Sequence, residues 1–127
     1  LRKLATAGFD NDVAADAVAR LAEEGLQSDV RFAGSFVQSR INQGKGPVRI
    51  RQELKERGLR PSTVDGALDE AETDWYDLAR EVRVRKFGAE LPGEFSDKAR
   101  QMRFLQYRGF ESDQIQAAVS SHGDELA

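Results

Sequence analysis

The chain has 127 residues, 32% of them charged and 39% apolar, with a net charge of −3 and no cysteine. It holds no apolar run near the ~20 residues that cross a bilayer and no signal-peptide pattern, which excludes a membrane-spanning helix and leads us to expect a soluble cytoplasmic protein. With a single histidine, His122, it also excludes a disulfide scaffold and a zinc site built from cysteine and histidine.

Residues 1–7 read as the end of a helix closed by Gly8, and because the pattern is already helical at Leu1 we expect residues ahead of it. Val13, Ala14, Ala17, Val18 and Leu21 follow helical spacing up to a stop at Gly25, with Leu26 folding back as a clasp. Ser28 or Asp29 is placed to cap a helix with the stripe Val30, Ala33, Phe36, Val37 and Ile41, ending at Gly44. Gly46-Pro47 restarts the chain, since proline suits a first helical turn, and Ile50 and Leu54 lead to Gly58. Pro61 opens a helix carrying Val64, Ala67, Leu68 and Ala71, and Asp74 caps one carrying Trp75, Leu78, Ala79 and Val82. Residues 82–87 alternate like a strand, but a lone short strand is marginal, so the segment is kept helical. Pro92-Gly93 breaks the chain. Glu94 or Ser96 then starts a helix with Phe95, Ala99, Met102 and Leu105, closed by Gly109. Ser112 caps a last helix with Ile115, Ala118 and Val119, and the tail from Gly123 is expected to fray. Eight helical segments result, and the fold class is all-α.

One pattern recurs. Leu4-Ala5-Thr6-Ala7-Gly8-Phe9, Leu54-Lys55-Glu56-Arg57-Gly58-Leu59 and Leu105-Gln106-Tyr107-Arg108-Gly109-Phe110 place their glycines 50 and 51 residues apart. Glycine just past a helix takes the left-handed backbone, and the apolar residue after it folds onto the last turn. Near-constant spacing predicts tandem three-helix repeats in three units, 1–44, 45–91 and 92–127. Units of this size are too small to bury a core alone, so neighbours must share apolar faces in an elongated body.

Charge is segregated along these units. Residues 31–60 hold eight basic and two acidic residues and 83–108 hold seven and three, whereas 61–82 hold one and seven. Local basic faces therefore exist despite the negative total. The first candidate cluster is Arg40, Lys45, Arg49, Arg51, Arg57 and Arg60; the second is Arg83, Arg85, Lys86, Arg100, Arg103 and Arg108. Guanidinium forks suit phosphates and carboxylates alike, so nucleic acid or an acidic partner surface would fit. The plainer reading is a solvated helical face, with Glu53 and Arg57 as an i,i+4 pair. Arg100 and Arg103 share a face at spacing three, and Lys98 does not.

Most of Phe32, Phe36, Trp75, Tyr76, Phe87, Phe104, Tyr107 and Phe110 fall on core stripes; Tyr76 and Tyr107 lie off them, at edges. Gly44-Lys45-Gly46-Pro47 lacks the spacing of a phosphate loop and no strand leads into it. No carboxylate is set apart by an apolar setting that would tune it as an acid or base. Neither an enzyme nor a cofactor is expected.

The run Gly44-Lys45-Gly46-Pro47-Val48-Arg49-Ile50-Arg51-Gln52-Glu53-Leu54-Lys55-Glu56-Arg57-Gly58-Leu59 resembles the signature of the RecX regulatory proteins, modulators of the RecA recombinase. Asp29–Ala33 with Ser35–Arg40, then Trp75 with Leu78-Ala79-Arg80, Lys86-Phe87-Gly88, and Arg103–Phe110 also match in order. The gap from Gly8 to Val13 is one residue shorter than its counterparts. The resemblance implies a curved array of three-helix repeats that binds RecA and its nucleoprotein filament, lies in the filament groove, and suppresses ATP hydrolysis, strand exchange and co-protease activity. It implies no catalytic residue, and a monomer is expected. The alternative is a helical-repeat protein acting directly on single- or double-stranded DNA, with helix 47–57 entering a major groove.

Overall fold

A computed structural model describes residues 7–120, with side chains from residue 14 onward. Six α-helices and no strand occur among them: α1 (Ala7–Asn42), α2 (Pro47–Glu56), α3 (Pro61–Glu70), α4 (Trp75–Phe87), α5 (Phe95–Arg108) and α6 (Ser112–Val119). None of these helices is long and apolar enough to cross a membrane. Residues 1–6 of the expected helix end and the tail from Gly123, with His122, lie outside the described residues.

The glycine stops hold at Gly44, Gly58 and Gly109, with φ of 78°, 86° and 97°. Each closes its helix with the same bond pair. The Gly58 amide donates to the Lys55 carbonyl at 2.9 Å and the Leu59 amide to the Leu54 carbonyl at 3.3 Å; Gly109 and Phe110 repeat this with Gln106 and Leu105. These bonds satisfy carbonyls that the helix end leaves unpaired.

The stops expected at Gly8 and Gly25 do not occur, nor does the cap at Ser28 or Asp29: α1 runs through all of them as one helix of 36 residues. Glycine permits a left-handed stop without imposing it. Leu59 packs against a core and Phe110 is buried inside one, whereas Leu26 stays on the flank of α1 and Val18 and Leu21 are exposed. Without a core to receive the clasp, a helix-interior glycine, costing about 1 kcal/mol, is the lesser penalty.

Residues 82–87 are helical, and the Asp74 carboxylate caps α4 by accepting from the Tyr76 and Asp77 amides at 3.0 and 3.1 Å. The helix stops at Gly88, ahead of the Pro92-Gly93 break. The N-cap of α5 is Glu94, one of the two residues foreseen. The cap of α6 is Glu111 instead of Ser112. Its carboxylate takes the amide of Gln114, the third helical residue, while its own amide donates to Gln114 Oε1 at 2.9 Å, a reciprocal box that a serine at the first helical position cannot form.

Two cores organise the helices. Ala33, Phe36 and Val37 of α1 meet Ile50 and Leu54 of α2 and Val64 and Leu68 of α3. Leu78, Ala79 and Val82 of α4 meet Leu105, Phe110, Ile115, Ala118 and Val119 of the α5–α6 hairpin. Ile41 and Trp75 pack against both, so the cores are joined and neither ends at solvent on that side. The boundaries foreseen at 44/45 and 91/92 fall in turns between helices that share a core.

Candidate functional site

The Gly44-Lys45-Gly46-Pro47 turn docks onto the end of α5. The Gly46 amide donates to the Arg108 carbonyl at 2.8 Å and the Val48 amide to the Gly109 carbonyl at 2.9 Å. Free amides at the start of α2 thus meet free carbonyls at the end of α5, satisfying both helix ends with opposed partial charges in contact. Pro47, between the two donors, has no amide to leave unpaired. The contact is so close that a Cβ on Gly46 would lie 2.4 Å from the Gly109 carbonyl carbon, and one on Gly109 would lie 2.3 Å from Arg49 Cβ.

This docking brings the two basic clusters of the sequence together across the junction. Arg57 lies 5.2 Å from the Phe36 ring centre, and Arg40 covers the same ring at 4.1 Å. Arg40 Nε donates to Glu53 Oε1 at 2.8 Å, while Arg49 Nε sits 3.6 Å from the other carboxylate oxygen. Arg49 reaches over the junction to the Tyr107 carbonyl at 3.3 Å, with its guanidinium 5.5 Å from that ring. Arg108 spans the junction in the other direction, donating to the Gln43 carbonyl at 2.8 Å and lying 5.1 Å over Phe104. Lys86 approaches Phe104 at 5.5 Å; Phe87 packs edge-on to Phe104, and Arg100 lies 5.0 Å over Phe87. The result is a basic track on an aromatic floor. Each cation–π contact adds only about 0.5–1 kcal/mol, but together they hold long side chains in place before any partner arrives.

Partial burial, followed by the charges of Arg49 and Arg108, holds the Lys45 ammonium below its ordinary value. The Arg49 and Arg108 guanidiniums thus share the junction with Lys45, opposed there by Glu53. Burial by itself would raise the Glu53 carboxyl, but the Arg40 hydrogen bond and the charges of Arg40 and Arg49 outweigh it and hold the group low. A depressed folded value means the stability from Glu53 is complete above the unfolded pKa of about 4.3 and is lost as pH falls through the folded value. Glu53→Gln is expected to cost about 1 kcal/mol at neutral pH and to flatten the acid limb of the melting temperature below about pH 4. An unchanged acid limb, measured by thermal unfolding, would contradict the pairing.

Arg83 is a correction. It is 3% exposed, and its guanidinium donates to the Gly88, Ala89 and Glu90 carbonyls at 3.4, 3.3 and 3.2 Å and to Gln101 Oε1 at 3.3 Å. Burial lowers its pKa, and its Nε has no partner. It holds the α4–α5 connection from inside and offers nothing to a partner. Arg51 pairs with Asp65 at 3.5 Å and is separate from the track, and Arg60 borders a groove with Leu26, Val30 and Thr63. Arg85, paired with exposed Glu81 at 3.4 Å, borders the track beside Lys86. Arg103 shares a groove with Lys98 and Met102, while Arg100 turns away to Phe87 and Asp97, reversing the grouping foreseen for these three. Glu53 bonds Arg40 and Arg49 in place of Arg57.

Among the aromatic residues, Tyr107 is 73% exposed and Tyr76 donates its hydroxyl to Asp113, as edge positions require. Phe95, foreseen on the α5 stripe, is 86% exposed. Sequence reasoning missed Glu53 as the anchor and Gln43 as an acceptor. The i,i+4 spacing of Arg49 and Glu53 was available as a signal; Gln43 had none.

The sequence is 45% identical over 124 residues to the regulatory protein RecX of Halorhodospira halophila, an alignment covering 98% of this chain and 77% of that one. The chain belongs to the RecX family. RecX proteins of Pseudomonas fluorescens (43% identical, covering 96% of this chain and 79% of that one) and Pseudomonas syringae pv. tomato (44%, covering 98% and 80%) are similarly related. The family's second three-helix domain matches residues 28–68 and its third matches residues 72–119. These spans follow the two cores: the RecX signature from Gly44 onward includes the turn that joins them.

Proposed function

We propose that this RecX chain binds the RecA recombinase and its nucleoprotein filament through the track formed by Arg40, Lys45, Arg49, Arg57, Lys86, Arg100 and Arg108. It lies in the filament groove as a cytoplasmic monomer and suppresses ATP hydrolysis, strand exchange and co-protease activity. The observation that carries this reading is that the track crosses the junction, so two repeats present one positive surface held rigid by backbone bonds between them. A partner with acidic or phosphate groups repeated along a groove can be met at several points, each weak and the sum substantial. Held there, the two repeats block motions between neighbouring RecA subunits that turnover requires.

The alternative, direct reading of DNA by α2, needs the first turn of that helix free to approach base edges. In this chain that turn is occupied by the end of α5.

RecA ATP hydrolysis on single-stranded DNA tests the proposal. The wild-type chain should inhibit it, and Arg57→Glu combined with Arg100→Glu, both at exposed positions, should raise the concentration for half-inhibition about tenfold. Equal inhibition by a folded double variant would remove the track from the mechanism.

A further inference from the structure

Beside the junction, Gln43, Val82, Arg85, Lys86, Phe104 and Arg108 line a cleft of about 200 Å³. Among the described residues no carboxylate lines it, and the acid paired with a lining residue is Glu81, 3.4 Å from Arg85; both side chains are about two-thirds exposed, so this pair is weak and readily exchanged. Arg108 is already fixed by the Gln43 carbonyl and by Phe104, and Lys86 rests on the same ring. A preset guanidinium, a second mobile one and an ammonium therefore share one small opening.

We infer that this cleft binds a backbone phosphate of a nucleic-acid strand, without regard to base sequence. A tetrahedral phosphate presents acceptors in several directions and can be met by donors from α4 and α5 at once. Phe104 carries two cations on its ring, which leaves it unavailable as a platform for stacking a base. Contact to the backbone alone positions a strand without reading it. Beyond the cleft, Arg49, which reaches across the junction to the Tyr107 carbonyl, continues the positive surface.

The inference deepens the filament-binding reading by assigning one end of the track to DNA and leaving the Arg40–Arg57 end to protein. Its test needs no RecA. Fluorescence anisotropy would follow a labelled thymine oligonucleotide and a mixed-sequence one of equal length, across a salt series, against the wild-type chain and Arg85→Gln/Lys86→Gln. Losing one phosphate contact should weaken binding about tenfold at 50 mM salt, equally for both strands, and make the logarithmic salt slope shallower by about 0.7. Arg51→Gln/Lys55→Gln, which removes the same formal charge at a separate hollow, should leave both quantities near wild type.

Three results would overturn it: no binding of either strand by the wild-type chain, an unchanged slope in the cleft variant, or an equal loss in the Arg51/Lys55 control. If the cleft variant keeps strand binding but loses RecA inhibition, the cleft meets an acidic protein surface and the inference falls while the regulatory reading stands. If strand binding behaves as expected but the wild-type chain leaves RecA turnover unaffected, the cleft stands and the regulatory reading falls.

Discussion

Gly46→Ala is expected to lower the stability of the folded chain by on the order of 3 kcal/mol, although its backbone is ordinary for any residue. Its φ is −87°, so no strain arises from conformation. The added Cβ would lie 2.4 Å from both the carbon and the oxygen of the Gly109 carbonyl and 2.5 Å from the Phe110 nitrogen. Backbone cannot swing aside as a flexible side chain can, so α2 must withdraw from α5. The Gly46–Arg108 and Val48–Gly109 hydrogen bonds weaken together, and the track is cut at the point where it crosses. Gly58→Ala is the control: φ is 86° but nothing lies within 4 Å of the new atom, which leaves a conformational cost of about 1 kcal/mol. Urea unfolding of both variants measures the difference. If Gly46→Ala proves no worse than Gly58→Ala, the close approach of the two repeats is not what that glycine serves.

Arg83→Ala should be comparably damaging, by roughly 3 kcal/mol, for an unrelated reason. Removing the guanidinium leaves the buried Gln101 side chain and the carbonyls of Gly88, Ala89 and Glu90 short of a shared donor and empties the volume that the side chain fills. The α4–α5 connection then loses its internal tie. The loss should appear in the unfolding midpoint, and any fall in RecA inhibition should follow the fraction unfolded. A variant that is stable yet unable to inhibit would return Arg83 to the binding surface and contradict its placement inside.

Most of the helices were legible because their signals are local. Proline at the first turn, Asp74 as a cap and glycine after Leu54 and Leu105 each act within a few residues, and the chain obeys them. Gly25 shows the limit of such signals. A glycine followed by an apolar residue becomes a stop only when a core receives that residue, and the core is formed by residues distant in sequence. The binding surface divides in the same way. Arginine density pointed to both basic blocks, but their union across the junction depends on the Gly46–Gly109 approach, which no periodicity reports. Arg83 looked like its neighbours because residue type carries no record of burial. Arg40 and Arg49, members of the first basic cluster, show the same limit. Both guanidiniums are half-buried on Glu53, so glutamates there would set like charges together and disturb the fold itself.

The proposed function makes RecA on DNA the target of the track, with bare DNA a lesser one. Its most direct measurement compares the affinity of the wild-type chain for single-stranded DNA coated with RecA and for the same strand bare, at one salt concentration near physiological. Clearly tighter binding to the coated strand is expected, weakened by Arg57→Glu/Arg100→Glu and by rising salt. Equal affinity for the two, or preference for the bare strand, would contradict it and make this chain a DNA-binding protein in its own right.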